Sequence, residues 1–391
     1  MKELAEILNA WSELRRAGNA AAVLATVVKV DGSAYRRPGA RMLLTAEGRR
    51  LGVISGGCLE SHLLDVAWDL TRERSIAITQ YDTTSDVDVV FGSGAGCRGV
   101  IHVMLERLEA GAGPDRMAFR EACRGARRTG VLATVIGRSS GLEVNVGEQV
   151  MLGPDGTVTS TITNHSVLQQ VLADARSCAL DDGPRVTTYT LSSGTAEVFQ
   201  EVIAPPTSLL VFGAGPDAAP LVRLAKELGW HVSVMDMRPA FLSRERFPLA
   251  DQLVPVMPEA VLRGVSMDPK TVAVVMSHDF LQDLATLESL LSQPLKYLGI
   301  LGPKSRTERL LSELASHGRS ASEEVLQRLH APVGLDIGAE APGEIALAIV
   351  AEIQAVLRGR SGGGLRERAG SIHRETGTPQ ICQGVPEETR V

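Results

Sequence analysis

The chain is poor in aromatic residues and has no concentrated positive charge. Phe, Trp and Tyr together make up 4% of its 391 residues, and the formal net charge is −6 at pH 7. Proteins that bind single-stranded DNA or RNA stack the bases on aromatic side chains, and nucleic-acid-binding proteins in general carry a basic patch or stripe. Because this sequence has neither feature, we do not expect nucleic acid to be a partner.

Long apolar runs are also missing. A membrane-spanning helix needs about 20 consecutive apolar residues, and no stretch of about 18 uncharged apolar residues occurs here. The first residues, MKELAEILNAWSELRRAG, mix acidic and apolar side chains at helical spacing and lack the continuous apolar segment of a secretory signal. We therefore expect no association with a membrane and a cytoplasmic location.

Cysteine is scarce, and its spacing excludes two common uses. The five cysteines lie at positions 58, 97, 123, 178 and 382, and none belongs to a CxxC pair. Small disulfide frameworks and structural zinc sites both need closely spaced cysteines. We expect neither, which leaves each thiol to be interpreted from its own surroundings.

The N-terminal half contains an internal repeat. The pentapeptide VLATV occurs at 23–27 and again at 131–135, an offset of 108. Further identities follow at the same offset: Gly39 and Gly147, Leu44 and Leu152, Gly48 and Gly156. A helix-like segment precedes and follows each copy, so the pattern predicts a duplicated unit over 1–108 and 109–204. The alternative is chance similarity between two valine-rich strands.

The C-terminal half has a different pattern. Two prolines in IAPPTS (203–208) mark a linker, and short apolar runs then alternate with helix-like segments. We therefore expect an α/β protein in which an N-terminal α/β domain (1–204), internally duplicated, precedes a Rossmann-like doubly wound parallel sheet (205–359). The glycine- and charge-rich segment 360–391 is predicted to be a loosely ordered tail.

The sequence VFGAGPDA carries a dinucleotide-binding pattern. Gly213 and Gly215 follow a predicted strand and open a predicted helix, and Asp236 ends the next strand. In the Rossmann fingerprint the glycines let the backbone approach a pyrophosphate, and the acid accepts a hydrogen bond from a ribose 2′-OH. Pro216 removes one backbone N–H from the turn, and Asp217 adds a negative charge where phosphates would lie.

Further polar residues follow the later strands of the same half. His278 comes after the fourth predicted strand, and Lys304 and Arg306 come after the fifth. In an open α/β sheet these strand ends line the ligand-binding edge, and two cations beside a helix start suit an anion. For His278 the alternative is a strand-end histidine that bonds only the backbone.

A third glycine-rich segment, SGGCLE, places a thiol at a predicted helix start. Gly56 and Gly57 precede Cys58, and the positive end of the helix dipole would favour its thiolate. At the 108-residue offset Cys58 falls on Ser166, so the second copy lacks the cysteine. The alternative is that Cys58 is a small buried hydrophobic residue, which is common for free cysteine.

Seven segments in order resemble one family. They are GSAYRRPGARMLL, SGGCLE, GSGAGCRG, VFGAGPDAAPLVRLAKELGW, VVMSHD, YLGILGPKSR and PVGLDIGAEAPGEIALAIVAEI. Together they resemble the XdhC/CoxI family of accessory proteins for xanthine dehydrogenase and related molybdenum hydroxylases. The sequence departs from the family pattern at Pro216-Asp217, where Gly-His is usual, and at Arg98, where Gly or Asn is usual.

The resemblance implies a molybdenum-cofactor chaperone rather than an enzyme with a small-molecule substrate. Such proteins bind the molybdopterin cofactor, support its sulfuration with a cysteine desulfurase, and pass it to a xanthine dehydrogenase-type hydroxylase. Cys58 and Cys97, each in a glycine-rich turn, would then be ligands of the cofactor's metal, and Arg98 would favour the Cys97 thiolate. A homodimer is the expected assembly.

Two other functions stay open at this point. The glycine pattern at Gly213 and Gly215 is compatible with an NAD(P)-binding oxidoreductase in which His278 acts as acid or base. A transferase acting through the Cys58 thiol is the other alternative, because a catalytic partner can be brought close by folding alone.

Overall fold

The computed structural model describes residues 2–18, 21–83, 99–109, 115–178, 183–257, 260–262, 265, 267–268 and 270–368. The chain divides into two compact units, one within Glu3–Pro205 and the other within Pro206–Ile372. The predicted tail 360–391 is therefore described only as far as residue 368. None of the helices that the structure describes is long and apolar enough to span a membrane.

The first half of the N-terminal unit contains two helices and one antiparallel sheet. The helices are α1 (Lys2–Arg16) and α2 (Cys58–Leu70), and the strands are β1 (Ala21–Gly32), β2 (Arg41–Thr45), β3 (Arg50–Gly52), β4 (Ile76–Asp82) and β5 (Gly99–Glu109). The strand order is β3-β2-β1-β5-β4. Helix α1 buries Ile7, Leu8 and Trp11, which share one face at a spacing of three to four residues.

The second half of this unit repeats the arrangement. Its helices are α3 (Arg116–Gly125) and α4 (His165–Cys178), and its strands are β6 (Gly130–Arg138), β7 (Gln149–Leu152), β8 (Val158–Ser160), β9 (Arg185–Leu191) and β10 (Gly194–Ile203). The strand order β8-β7-β6-β10-β9 matches that of the first sheet. Even the register agrees, because Val23 pairs with Leu44 and Val131 with Leu152, both members shifted by 108.

The two sheets contact each other reciprocally. A Cβ atom at Gly39 would lie 2.9 Å from Cγ of Pro184, and one at Gly147 would lie 3.1 Å from Cβ of Ile76. Gly39 and Gly147 differ by 108 residues, and so do Ile76 and Pro184. Each half therefore presents the same patch to the other, as the protomers of a twofold dimer do.

A β-bulge in each sheet contributes to this contact. Val28 is the extra residue of β1 against β5, and Ile136 is the extra residue of β6 against β10. Both are buried in one cluster together with Ile76, Met104 and Phe199. A bulge bends its strand and redirects a side chain, and here both bulges supply side chains to the core shared by the two sheets.

An ion-pair cluster lies at the centre of the N-terminal unit. The Arg120 side chain on α3 is 0% exposed, and its Nη2 lies 3.1 Å from Glu106 and 2.8 Å from Glu201. Glu106 on β5 pairs with Leu24, and Glu201 on β10 pairs with Leu132, so the two acids occupy equivalent positions. Arg120 thus joins the two halves through one guanidinium.

Two further arginines complete the cluster. Arg41 lies 2.6 Å from Glu201, and Arg116 lies 3.2 Å from Glu106. Burial alone would raise the pKa of Glu201, but the charges of Arg120 and Arg41 hold it below its usual value. Glu201 is therefore ionised at neutral pH, and both acids have arginine side chains as their charge partners.

The C-terminal unit is a parallel sheet covered by helices on both faces. Its strands are β11 (Ser208–Phe212), β12 (His231–Asp236), β13 (Gln252–Pro255), β14 (Val272–Val275), β15 (Tyr297–Ile300) and β16 (Leu329–His330). Its helices are α5 (Ala218–Glu227), α6 (Phe280–Leu291), α7 (Lys304–Ser316), α8 (Glu323–Gln327) and α9 (Pro342–Leu357), with short 3-10 turns at Pro239–Phe241 and Leu365–Glu367.

Strand β11 shows how the sequence builds these layers. Leu209 and Val211 point into the core with α5 and α9, whereas Leu210 and Phe212 point into the core with α6 and α7. A strand with both faces buried reads as a continuous apolar run, as SLLVF does. The strand order is β13-β12-β11-β14-β15-β16, with parallel pairing throughout. The expected α/β fold with a Rossmann-like second half is confirmed.

We predict that Arg120→Ala strongly destabilises the protein. The substitution leaves the buried carboxylates of Glu106 and Glu201 without their shared cation, and breaking a buried ion pair typically costs about 3–5 kcal/mol. Chemical denaturation gives the free energy of unfolding. Arg15→Ala is the control, because its pair with Asp115 is about half exposed and should contribute about 0–1 kcal/mol. Equal losses for the two variants would contradict the prediction.

Candidate functional site

A glycine turn directly precedes helix α2 in the first half of the N-terminal unit. Gly57 has a φ of 119°, a left-handed conformation that favours glycine, and caps the helix that begins at Cys58. Gly56 and Gly57 are both exposed, and a Cβ atom at either would meet no atom within 4 Å from the described residues other than its chain neighbours. Within the part of the chain that the structure describes, the backbone of this turn is therefore open to a ligand.

One buried carboxylate holds the turn in place. Oε1 of Glu60 accepts the N–H groups of Ile54 at 3.1 Å and Ser55 at 2.6 Å. Oε2 accepts the Ser55 hydroxyl at 2.5 Å and the Gly57 N–H at 3.0 Å. Burial alone would raise the pKa of Glu60, but these hydrogen bonds lower it below its usual value. The ionised side chain thus fixes the backbone from Ile54 to Gly57.

The predicted thiol sites lie partly outside the described residues. Cys58 begins α2, but its side chain is not among those the structure describes, and Cys97 and Arg98 lie in the segment 84–98, outside the described residues. Among the side chains that are described, no group of three or more His, Cys, Asp and Glu residues could hold a metal ion. The N-terminus of α2 contributes a positive electrostatic potential at this turn, and the Glu60 carboxylate contributes a negative one.

Sequence reasoning missed Glu60, although a signal was present. A glutamate three residues after the N-cap is the third position of a capping box, and Glu60 stands there relative to Gly57. At the 108-residue offset the second half has Leu168 instead. There the Asn164 side chain caps the turn by accepting the Val167 N–H at 3.1 Å. The open turn held by a buried acid belongs to the first half alone.

The second predicted site lies at the carboxyl edge of the parallel sheet. Gly213 has a φ of 122°, and a Cβ atom there would lie 2.5 Å from the Met276 carbonyl oxygen. Only glycine permits this close approach between the turn after β11 and the end of β14. These two strands flank the point where the strand order reverses, which is where open α/β sheets bind ligands.

Asp236 lies at this edge with its carboxylate fully engaged. Its side chain is buried and accepts the Ala214 N–H at 2.7 Å and the Arg238 N–H at 2.8 Å. The Arg238 guanidinium donates to both carboxylate oxygens, each at 2.9 Å. Burial would raise the pKa of Asp236, yet the Arg238 hydrogen bonds lower it. A ribose hydroxyl would have to displace one of these donors.

His278 pairs with the residue that interrupts the glycine pattern. Its Nε2 lies 3.1 Å from Oδ2 of Asp217, and its side chain is 59% exposed. The backbone of His278 has a φ of 64°, a left-handed conformation that costs a non-glycine residue on the order of 1–3 kcal/mol. Gly215 lies beside it, since a Cβ atom there would be 3.9 Å from His278 Cδ2. The turn after β11 and the end of β14 therefore meet at an exposed His–Asp pair.

The two predicted cations at the start of α7 differ in their surroundings. Arg306 donates to Oδ2 of the buried Asp283 at 2.7 Å, and Asp283 also accepts the Ser277 hydroxyl. Lys304 is exposed and forms no ion pair with any residue that the structure describes. Arg306 is thus held in place by a compensating charge, whereas the charge of Lys304 is not compensated by any described residue.

Comparisons with known families match the two halves of the N-terminal unit and the C-terminal unit separately. A model of the XdhC and CoxI family matches residues 15–82 and again residues 123–190. A model of the XdhC Rossmann domain matches residues 209–353. The two matches of the first model are separated by 108 residues, the offset that relates the two antiparallel sheets.

Individual relatives agree with these matches. The chain is 36% identical over 332 residues to a probable xanthine dehydrogenase subunit of Bacillus subtilis, covering 85% of this chain and 92% of that protein. It is 23% identical over 338 residues to the molybdenum cofactor insertion chaperone PaoD of Escherichia coli, covering 86% and 83%. A crystal structure of a xanthine dehydrogenase from Bacillus halodurans superposes with a TM-score of 0.73 at 29% identity, covering 92% and 97%.

We predict that Glu60→Gln loosens the glycine turn. The amide group would present N–H donors where the turn needs acceptors, so the Ile54, Ser55 and Gly57 amides should lose protection against hydrogen exchange. Losing a hydrogen bond to a charged group should lower the protection factor of the amide by about tenfold or more. Glu73→Gln, at an exposed acid just beyond α2, is the control. Unchanged protection at all three amides would contradict the role of Glu60.

We predict an inverted order of stability at His278. Because its φ is positive, His278→Gly should be more stable than His278→Ala by about 1 kcal/mol, the reverse of the usual preference. At Lys304, the first residue of α7, alanine should be the more stable substitution. Chemical denaturation of the four variants checks both orders. The same order at the two positions would refute strain at His278.

Proposed function

Because this chain belongs to the XdhC and CoxI family, we propose that it is an accessory protein that binds the molybdenum cofactor and delivers it to a xanthine dehydrogenase-type hydroxylase. The similarity to a molybdenum cofactor insertion chaperone supports this function. The cofactor is cargo in this proposal, and the chain itself turns over no small-molecule substrate.

The observation that carries the proposal is the open turn held by Glu60. At Gly56 and Gly57 the backbone is not covered by any other residue that the structure describes, and the turn ends at a cysteine that begins a helix. A ligand that contains a soft metal suits cysteine thiolates. We propose that Cys58 and Cys97 bind the metal and that Arg98 favours the Cys97 thiolate.

Rigid support of the turn suits transfer as well as binding. The Glu60 hydrogen bonds fix the backbone before any ligand arrives, so little ordering is needed when the cofactor binds. Exposure of the glycines leaves the same face accessible to a partner. We propose that a cysteine desulfurase supplies sulfur to the bound cofactor at this turn and that the hydroxylase then receives it.

An NAD(P)-dependent oxidoreductase is the second candidate. The strand order of the C-terminal unit and the close approach at Gly213 favour a dinucleotide at the sheet edge. The Asp217 carboxylate beside the turn disfavours a pyrophosphate, and the engaged oxygens of Asp236 leave no ready acceptor for a ribose hydroxyl. A homodimeric assembly and a cytoplasmic location stay predictions under either function.

We predict that the purified protein carries pterin and molybdenum when it is expressed in a host that makes molybdopterin. Cys58→Ala and Cys97→Ala should each lose most of the bound metal, because each would remove a thiolate ligand. Cys178→Ala, in the second half of the N-terminal unit, is the matched control. Bound pterin is measured by the fluorescence of its oxidised form, and molybdenum by mass spectrometry.

The outcomes separate the two candidate functions. Equal pterin on wild type and both cysteine variants would move the cofactor away from the glycine turn. Absence of pterin from every sample, in a host confirmed to make it, would contradict the chaperone proposal. Thermal stabilisation by NAD, with none by pterin, would favour the oxidoreductase.

A further inference from the structure

Two arginines share one aromatic ring beyond the end of β12. The chain continues from Asp236 through Arg238 into the turn Pro239–Phe241. The Arg238 guanidinium carbon lies 4.1 Å from the centre of the Phe241 ring, and that of Arg246 lies 4.7 Å from it. The ring therefore holds both guanidinium groups at the edge of the sheet through cation–π contacts.

The two arginines differ in their charge partners. Arg238 is paired with the buried Asp236, and the Asp279 carboxylate adds to the raised pKa that this pairing gives Arg238. Arg246 has no ion pair with any residue in the part of the chain that the structure describes, and one of its nitrogens lies 3.5 Å from the Phe241 carbonyl oxygen. The Arg238 side chain is 48% exposed, so it retains donors that can face a ligand.

The position of the pair within the sheet indicates its ligand. In Rossmann-like sheets, residues at the end of the second strand contact the ribose of a bound dinucleotide. An acid there accepts a hydrogen bond from a free 2′-OH, whereas an arginine binds a 2′-phosphate. Here the acid, Asp236, is buried with its oxygens turned towards Ala214 and Arg238. The exposed group that follows this acid along the chain is the Arg238 guanidinium.

We propose that Arg238 and Arg246 form a binding site for the phosphate of a 2′-phosphorylated nucleotide. The two guanidinium groups donate to the phosphate oxygens, and Phe241 positions both groups for this contact. Guanidinium forks match phosphate geometry and give charge-assisted hydrogen bonds. The site discriminates against a nucleotide whose ribose carries no phosphate. This inference is independent of the cofactor-delivery function proposed above.

The test is a set of calorimetric titrations of the full chain. The probes are 2′,5′-ADP, 5′-ADP and inorganic phosphate, with NADP and NAD as the corresponding dinucleotides. We expect 2′,5′-ADP to bind at least about tenfold more tightly than 5′-ADP, because hydrogen bonds to charged groups are typically worth that much. Inorganic phosphate alone should bind more weakly than 2′,5′-ADP.

Substitutions at Arg246 test whether this residue causes the preference for 2′,5′-ADP over 5′-ADP. Arg246→Ala should lower the affinity for 2′,5′-ADP about tenfold to a hundredfold while leaving that for 5′-ADP unchanged. Arg246→Lys should lose less, since it keeps the charge without the planar fork. Arg223→Ala removes one charge from the exposed surface of α5 and should change neither affinity. Melting temperatures without ligand show whether each variant is folded.

Three results would overturn the proposal. The first is equal affinity for 2′,5′-ADP and 5′-ADP, or no binding of either at millimolar concentration. The second is a preference for 2′,5′-ADP that survives Arg246→Ala in a folded protein. The third is binding of inorganic phosphate as tight as that of 2′,5′-ADP, which would indicate a general anion site.

Discussion

The buried guanidinium of Arg120 is the interaction on which the N-terminal unit depends. It bridges Glu106 and Glu201, two carboxylates at equivalent positions of two equivalent sheets. Without it both carboxylates would lose the cation that they share, and a buried charge that loses its partner is strongly unfavourable. The reciprocal glycine contacts and the paired bulges lie around the same junction. A polar centre thus fixes how two apolar-faced sheets meet.

The two halves share a skeleton but differ at the start of their second helix. In the first half a buried Glu60 organises an open glycine turn, whereas the second half has Leu168 and a simple Asn164 cap. The scaffold could be duplicated because strand order and register carry no chemistry. The surroundings of Cys58 were not duplicated with it, so the open glycine turn occurs in the first half and not at the equivalent turn of the second. The sheet edge of the C-terminal unit adds a second polar surface, with His278 and Arg246.

Much of the fold could be predicted from sequence because its signals are local. The apolar runs indicated the alternating strands and helices, and the 108-residue repeat indicated the duplicated N-terminal unit. The glycine pattern located the turn after β11. The capping position of Glu60 has a sequence signal, but its burial could not be predicted, because an acid in the first turn of a helix is ordinary at exposed positions. Glu344 shows this at the start of α9, where it bonds the Glu340 and Ala341 N–H groups while remaining exposed. Burial separates the two glutamates, and burial depends on residues distant in sequence.

The reciprocal contact of Gly39 with Pro184 and Gly147 with Ile76 has an evolutionary consequence. In a dimer of identical protomers, one substitution changes both copies of such a contact at once. Within a single chain, a substitution at Gly39 changes only one of the two contacts and leaves the other intact. Covalent linkage of the halves therefore removes the constraint of symmetry. One half can acquire new residues at its surface while its neighbour continues to maintain the shared interface.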